Sequence, residues 1–293
     1  MTTQSTGFHR LVSRRAITRA TIGITAGSIA LASGTLATTA QEATPMPAST
    51  PQASPASSTP TVVLVHGAFA DASGWAGVIT FLKKAGIAVV APPNPLRGIR
   101  SDAAYIASFA NQLAGPVLMV GHSYGGAVIT NAAPQVASAM GLVYVAAFIP
   151  DEGETLQALS AQASDSKLGP ALRASNYPRP DGSTGQEFSI DPAAFHKVFC
   201  ADLPEELATR MALSQRPAAD IGFGEPSGPA GWKTLPSWAV IATADVTIGT
   251  LGLRAMAERA GATTVDVDSS HVAMISQPEA VANFIQKALA SVA

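Results

Sequence analysis

The sequence predicts an α/β fold in which helices wind both faces of a parallel sheet. Three observations predict it. Short apolar runs recur from residue 61 onward, they show no polar alternation, and most are followed by a segment long enough for a helix that returns to a parallel neighbour. A strand covered on both faces has no solvent side, so it reads as a continuous apolar run. Strands alternating with helices imply right-handed crossovers and a doubly covered sheet.

The predicted strands are residues 61–65, 87–90, 116–120, 141–145, 238–242 and 263–267. The crossover helices are expected within 74–85, 101–114, 124–140, 251–260 and 278–290. One interval, 150–236, breaks this rhythm. It is rich in Pro, Gly, Ser and Asp and offers only short helical pieces such as 191–198. A structureless loop of that length does not suit a compact domain, so the interval is expected to be an inserted helical cap over the sheet's carboxyl edge, where ligands of open α/β sheets bind.

The 293 residues are 47% hydrophobic and 13% charged, enough for one domain of residues 61–293 with a sizeable core. Residues 1–40 have a different character: Arg10, Arg14, Arg15 and Arg19 occur with no acidic residue, and a Gly/Ala/Thr/Ile stretch follows. This layout is that of an export signal, and Ser13-Arg14-Arg15-Ala16-Ile17 gives it a twin-arginine character. The expectation is an exported protein, secreted, periplasmic or held at the cell surface, with cleavage after Ala40 and no stable membrane insertion; a retained leader acting as an anchor is the alternative. Residues 41–60, with five prolines and almost no bulky apolar side chain, read as an extended linker.

Without residues 1–40 the chain has 14 basic against 20 acidic residues, a formal charge of about −6. Nucleic acid is therefore excluded as a partner. Cys200 is the only cysteine, so stability rests on the core and not on an internal disulfide. No HExxH motif, cysteine pair or GxxxxGK[ST] loop occurs, hence no metal and no cofactor are expected.

Gly121-His122-Ser123-Tyr124-Gly125-Gly126 follows the strand at 116–120 and precedes a helical run. That is the context of the GxSxG nucleophile elbow, in which a serine sits on a strained strand-to-helix turn and Gly121 and Gly125 leave room where side chains would collide. A serine hydroxyl needs a base, and the base needs an orienting group. Of five histidines, His9 is in the leader, His66 ends the first strand, His122 adjoins the serine and His196 is in the cap. His271, in a loop after the last strand, remains as the base. For the acid, Asp245 directly follows the strand 238–242, with Asp266 and Asp268 as alternatives. Backbone N–H donors for an oxyanion are expected in His66-Gly67-Ala68-Phe69 and at Tyr124. Apolar cap residues Phe188, Phe195, Phe199, Trp232 and Met211 are candidates to line an acyl pocket.

With these residues placed, 61–292 resembles the α/β-hydrolase superfamily, and within it the compact branch of plant methylesterases, hydroxynitrile lyases and their bacterial relatives. The likeness is carried by Val65-His66-Gly67-Ala68-Phe69 with Trp75 downstream, by the elbow, and by Asp268-Ser269-Ser270-His271-Val272-Ala273-Met274. It implies a six-stranded, mainly parallel sheet with a helical cap, a Ser123, Asp245, His271 triad, and Ala68 and Tyr124 as oxyanion donors. Lyases of this kind carry threonine where Gly67 stands and lysine where Val272 stands. The resemblance therefore implies a serine esterase acting on a small-molecule ester. A cofactor-free C–C lyase and a small-ligand receptor that retains the pocket are the alternatives. Bacterial relatives commonly have Asp-Arg after the acid strand, whereas here Val246-Thr247 follows Asp245.

Overall fold

The computed structural model describes residues 59–293, so the expected export signal and nearly all of the expected linker lie outside the described residues. In chain order the core begins with β1 (Thr61–Val65), α1 (Ala76–Lys84), β2 (Ala88–Val90), α2 (Ile99–Ala110), β3 (Val117–His122), α3 (Tyr124–Ala132) and β4 (Ala139–Val145). The segment that follows holds α4 (Leu156–Gln162), α5 (Leu168–Ala171), β5 (Leu172–Pro178), β6 (Thr184–Ile190), α6 (Pro192–Phe199), α7 (Glu205–Ser214), β7 (Ala218–Ala219) and α8 (Ile221–Gly224). The core closes with β8 (Ser237–Ala242), α9 (Thr250–Arg259), β9 (Thr263–Val267), α10 (Ala273–Ser276) and α11 (Pro278–Ala290). None of the described helices is long and apolar enough to cross a membrane.

The six core strands form one parallel sheet in the order β2-β1-β3-β4-β8-β9. β3 is buried at every position and β8 likewise, which is why both read as unbroken apolar runs. From β1 the chain goes to β2 on one side and then to β3 on the other. The order therefore reverses between β1 and β3, and a crevice opens beyond their carboxyl ends. The loops entering that crevice are the ones that carry Gly67-Ala68 and Ser123.

The boundaries follow local chemistry. The helical run expected to reach residue 140 ends at Ala132, because Pro134 permits only a short 3-10 turn over Ala133–Gln135, and the next strand starts at Ala139. All nine residues of α3 are buried. It lies so close to β1 and to the loop after β4 that a Cβ on Gly125 would overlap Val65 O, and one on Gly126 would overlap Phe148 O.

The cap differs from a purely helical insertion. Its helices are joined by a three-stranded antiparallel sheet, β5-β6-β7, in which Arg173 pairs with Ser189 and Tyr177 with Gly185. The β5–β6 turn is built on Asp181-Gly182, with Gly182 at φ 83° and Asp181 Oδ1 accepting from Ser183 N at 2.9 Å. Most of β5 is exposed and polar, so hydrophobic periodicity gives no sign of it.

Candidate active site

Ser123 occupies the one-residue corner between β3 and α3, with φ 53° and ψ −124°. An L-residue is strained there, and the strain persists because the surroundings over-determine it. Gly126 N donates to Ser123 O at 2.9 Å and Phe148 N donates to the same oxygen at 3.2 Å. A Cβ on Gly121 would overlap Gly125 O and one on Gly125 would overlap Val65 O, so both glycines flanking the serine are steric requirements. Ser123 is 6% exposed.

His271 and Asp245 meet in the interior. His271 Nδ1 lies 2.7 Å from Asp245 Oδ2, and both side chains are fully buried. The other carboxylate oxygen, Oδ1, accepts from Thr247 N at 2.7 Å and Ile248 N at 3.0 Å. With Oδ1 occupied by two N–H groups, Oδ2 is left for the imidazole, which must carry its proton on Nδ1. Nε2 is then a bare acceptor, buried and without a hydrogen-bond partner among the described residues. The alternative acids lie elsewhere: Asp266 forks onto exposed Arg254 at 3.0 and 2.8 Å, and Asp268 is exposed.

Three further contacts hold the histidine loop. His122 Nε2 lies 3.0 Å from His271 O and donates to it, since a carbonyl only accepts. Burial, and secondarily the charge of His271, depresses the His122 pKa well below its usual value, so it serves as a neutral donor. Trp75 packs edge-on against the His122 ring, 6.4 Å between centroids. Asp202, from the cap, accepts from both the N–H and the hydroxyl of Ser270. Sequence reasoning set His122 aside for its position beside Ser123 and passed over Asp202; no local pattern marks either contact.

His66 acts on the loop beyond β1. Its Nδ1 lies 2.9 Å from Gly67 O, and its Nε2 accepts from Asn94 N at 2.9 Å, with Arg216 Nη1 at 3.4 Å. The ring is thus neutral, protonated on Nδ1. Gly67 O belongs to the same trans peptide as the Ala68 N–H, and the two point in opposite directions. The imidazole that fixes Gly67 O therefore fixes the direction of the Ala68 donor. That N–H has no hydrogen-bond partner among the described residues. Tyr124 Oη donates to buried Asp102 at 2.9 Å, tying the residue after Ser123 to α2.

A pH dependence of stability follows from His66. Burial, foremost, lowers its pKa from 6.5 to about 4. The unfolded chain takes up this proton first, so the contribution is complete above pH 6.5 and is lost as pH falls through about 4. The difference is worth about 3 kcal/mol. Thermal melts are expected to drop in midpoint across that range, and His66→Asn to flatten the slope; an unchanged slope in the variant would assign the acid sensitivity to other groups.

An aromatic layer covers the site. Phe199 lies 5.2 Å from His271 and 6.3 Å from Phe69 between ring centroids, and Phe223 stacks on Phe69 at 6.3 Å. Of the five cap residues expected to line a pocket, Phe188 lines a cavity of about 810 Å³ and Met211 one of about 230 Å³. Phe195 and Phe199 are instead fully buried in the core, and Trp232 donates to Pro150 O at 2.9 Å. Their apolar character was legible, but burial on an internal face looks the same in sequence as burial around a ligand.

Residues 62–284 match the model of the alpha/beta hydrolase family, and the chain belongs to that family. It is 34% identical over 114 residues to a carbendazim hydrolyzing esterase of Nocardioides sp. (strain SG-4G); the match covers 34% of this chain and 47%, about half, of that relative. A probable hydrolase, R7, of Phoma sp. (strain ATCC 20986 / MF5453) is 26% identical over 247 residues, covering 77% of this chain and 96% of its own. Among solved structures, a methylesterase from Arabidopsis, 19% identical, superposes with a TM-score of 0.66 over 79% of this chain and 99% of its own, a likeness of fold.

Proposed function

We propose that this protein is a serine hydrolase that cleaves a small carboxylic ester through an acyl-enzyme, with Ser123 as nucleophile, His271 as base and Asp245 as the group that orients it. The observation that carries the reading is the buried Asp245–His271 pair, which leaves an unpartnered Nε2 on the imidazole of a loop tied to His122, the residue before the strained elbow serine. His271 Nε2 takes the hydroxyl proton as Ser123 Oγ attacks the ester carbonyl. Asp245 stabilises the imidazolium, and the N–H groups of Ala68 and Tyr124 receive the oxyanion. The alcohol leaves with the proton from His271. Water, deprotonated by the same ring, then attacks the acyl carbonyl and releases the acid and Ser123.

Two observations favour ester cleavage over the C–C lyase reading. Val272, where such lyases have lysine, is fully buried and supplies no cation. A Cβ on Gly67 would stand 2.7 Å from Ser123 Cβ, so the threonine of the lyases does not fit this backbone. The names of relatives agree with the reading, a carbendazim hydrolyzing esterase among them.

A fluorophosphonate is expected to label the protein once, with the added mass on the peptide containing Ser123, and to abolish p-nitrophenyl acetate turnover in proportion. Labelling elsewhere, or turnover of cyanohydrins in place of esters, would overturn the assignment. A protein that neither labels nor turns over but binds the ester would be the receptor.

A further inference from the structure

The larger cavity of about 810 Å³ falls in the size range of sites for drug-sized ligands, roughly 300–1,000 Å³. Its wall includes Leu168, Leu172, Phe188 and Phe223. The only charged side chains in that wall are Arg179 and Asp220, which face each other at 3.8 Å. Gln157, Ser160, Ser166 and Gln186 are the wall's uncharged polar members, so the chamber is mainly apolar and carries no net charge, a surface that gains from burying hydrocarbon and has no surplus charge for an ion.

Neither Ser123 nor His271 lines this cavity. What connects the two regions is Phe223. Its ring lines the cavity, stacks on Phe69 at 6.3 Å with 15° between the planes, and lies 6.0 Å from the Tyr124 ring. Phe69 directly follows Ala68, and Tyr124 directly follows Ser123, so Phe223 borders both the cavity and the side chains next to the loops at the ends of β1 and β3. Glycines flank it on both sides. Gly222 is needed because a Cβ there would stand 2.9 Å from Tyr124 Oη, whereas a Cβ on Gly224 would meet nothing within 4 Å. The ring therefore rides on a four-residue turn, α8, with glycine's backbone freedom on either side.

We propose that the cap cavity receives the bulky, uncharged, hydrophobic half of the substrate, an aryl or branched aliphatic group, and that Phe223 is the partition this group displaces to bring its ester to Ser123. The proposal rests on the serine-hydrolase reading for the position of the ester, but not for the cavity's occupancy, and the test separates the two.

Binding is measured in the Ser123→Ala protein, where no turnover is needed, with methyl 2-naphthoate as the probe and fluorescence as the readout. The neutral ester is expected to bind at least tenfold more tightly than 2-naphthoate anion at neutral pH. Gly169→Phe adds a ring to the cavity wall at a position where a Cβ meets nothing within 4 Å. It is expected to weaken ester binding at least tenfold with an unchanged melting temperature, and Phe223→Ala to raise the association rate several-fold. Equal affinity for ester and anion, or affinity indifferent to Gly169→Phe, would overturn the cavity assignment; an association rate indifferent to Phe223→Ala would overturn the partition. Failure of fluorophosphonate labelling with these binding results intact would overturn the hydrolase reading alone.

Discussion

Ser123→Ala is expected to lower kcat for an ester by a factor on the order of 10⁶, the cost of removing the proposed nucleophile from the proposed triad. The residual rate should not respond to a further change at His271, because base and nucleophile act as one unit. Stability provides a second readout. Alanine at φ 53° and ψ −124° keeps the backbone strain, whereas glycine relieves it. The strain is worth roughly 1–3 kcal/mol, and glycine's greater freedom in the unfolded chain returns about 0.5–1 kcal/mol of that. Ser123→Gly should therefore be as inactive as Ser123→Ala but more stable by about 1 kcal/mol, a difference visible in paired thermal melts. Retention of more than a hundredth of the activity by either variant would remove Ser123 from the chemistry.

The sheet was legible because most of its strands are apolar runs set between helical segments and the central ones are covered on both faces; the edge strand β9, Thr-Thr-Val-Asp-Val and mostly exposed, is the exception. The elbow was legible because the residues its steric demands fall on lie within six positions of sequence, although only Gly121 is constrained from inside that window, by Gly125 O, while Gly125 is constrained by Val65 O of β1. What escaped depends on residues far apart in the chain. The hydrogen bond from His66 to Gly67 O is local, but it orients the peptide only because Asn94 N, beyond β2, occupies the other ring nitrogen. The stacking of Phe223 on Phe69 joins the cap to the loop after β1, and no periodicity connects them. The β5–β6 hairpin escaped for the opposite reason. β5 faces solvent over most of its length and carries polar residues with no alternation to read, β6 is only partly covered, and Asp181-Gly182 alone marked the turn.

Asp245→Asn is expected to reduce kcat by about 10⁴-fold while leaving the fold nearly as stable. The reason lies in how the carboxylate is held. Thr247 N and Ile248 N both donate to Oδ1, so an asparagine at this position must place its carbonyl oxygen there. Its amide NH2 then takes the place of Oδ2, 2.7 Å from His271 Nδ1. Two donors cannot share that contact, so Nδ1 gives up its hydrogen and the ring proton moves to Nε2. An imidazole protonated on Nε2 has no lone pair to accept the Ser123 proton, although the loop retains both of its backbone hydrogen bonds. A loss of rate without a loss of melting temperature would report this tautomer change; a collapse of both would report a structural role. Asp266→Asn and Asp268→Asn serve as the comparison. Asp266 pairs with Arg254 at the surface, where solvent screens the interaction, and Asp268 is exposed, so each variant should keep its activity within about twofold. Damage equal to that of Asp245→Asn at either position would transfer the orienting role to that carboxylate.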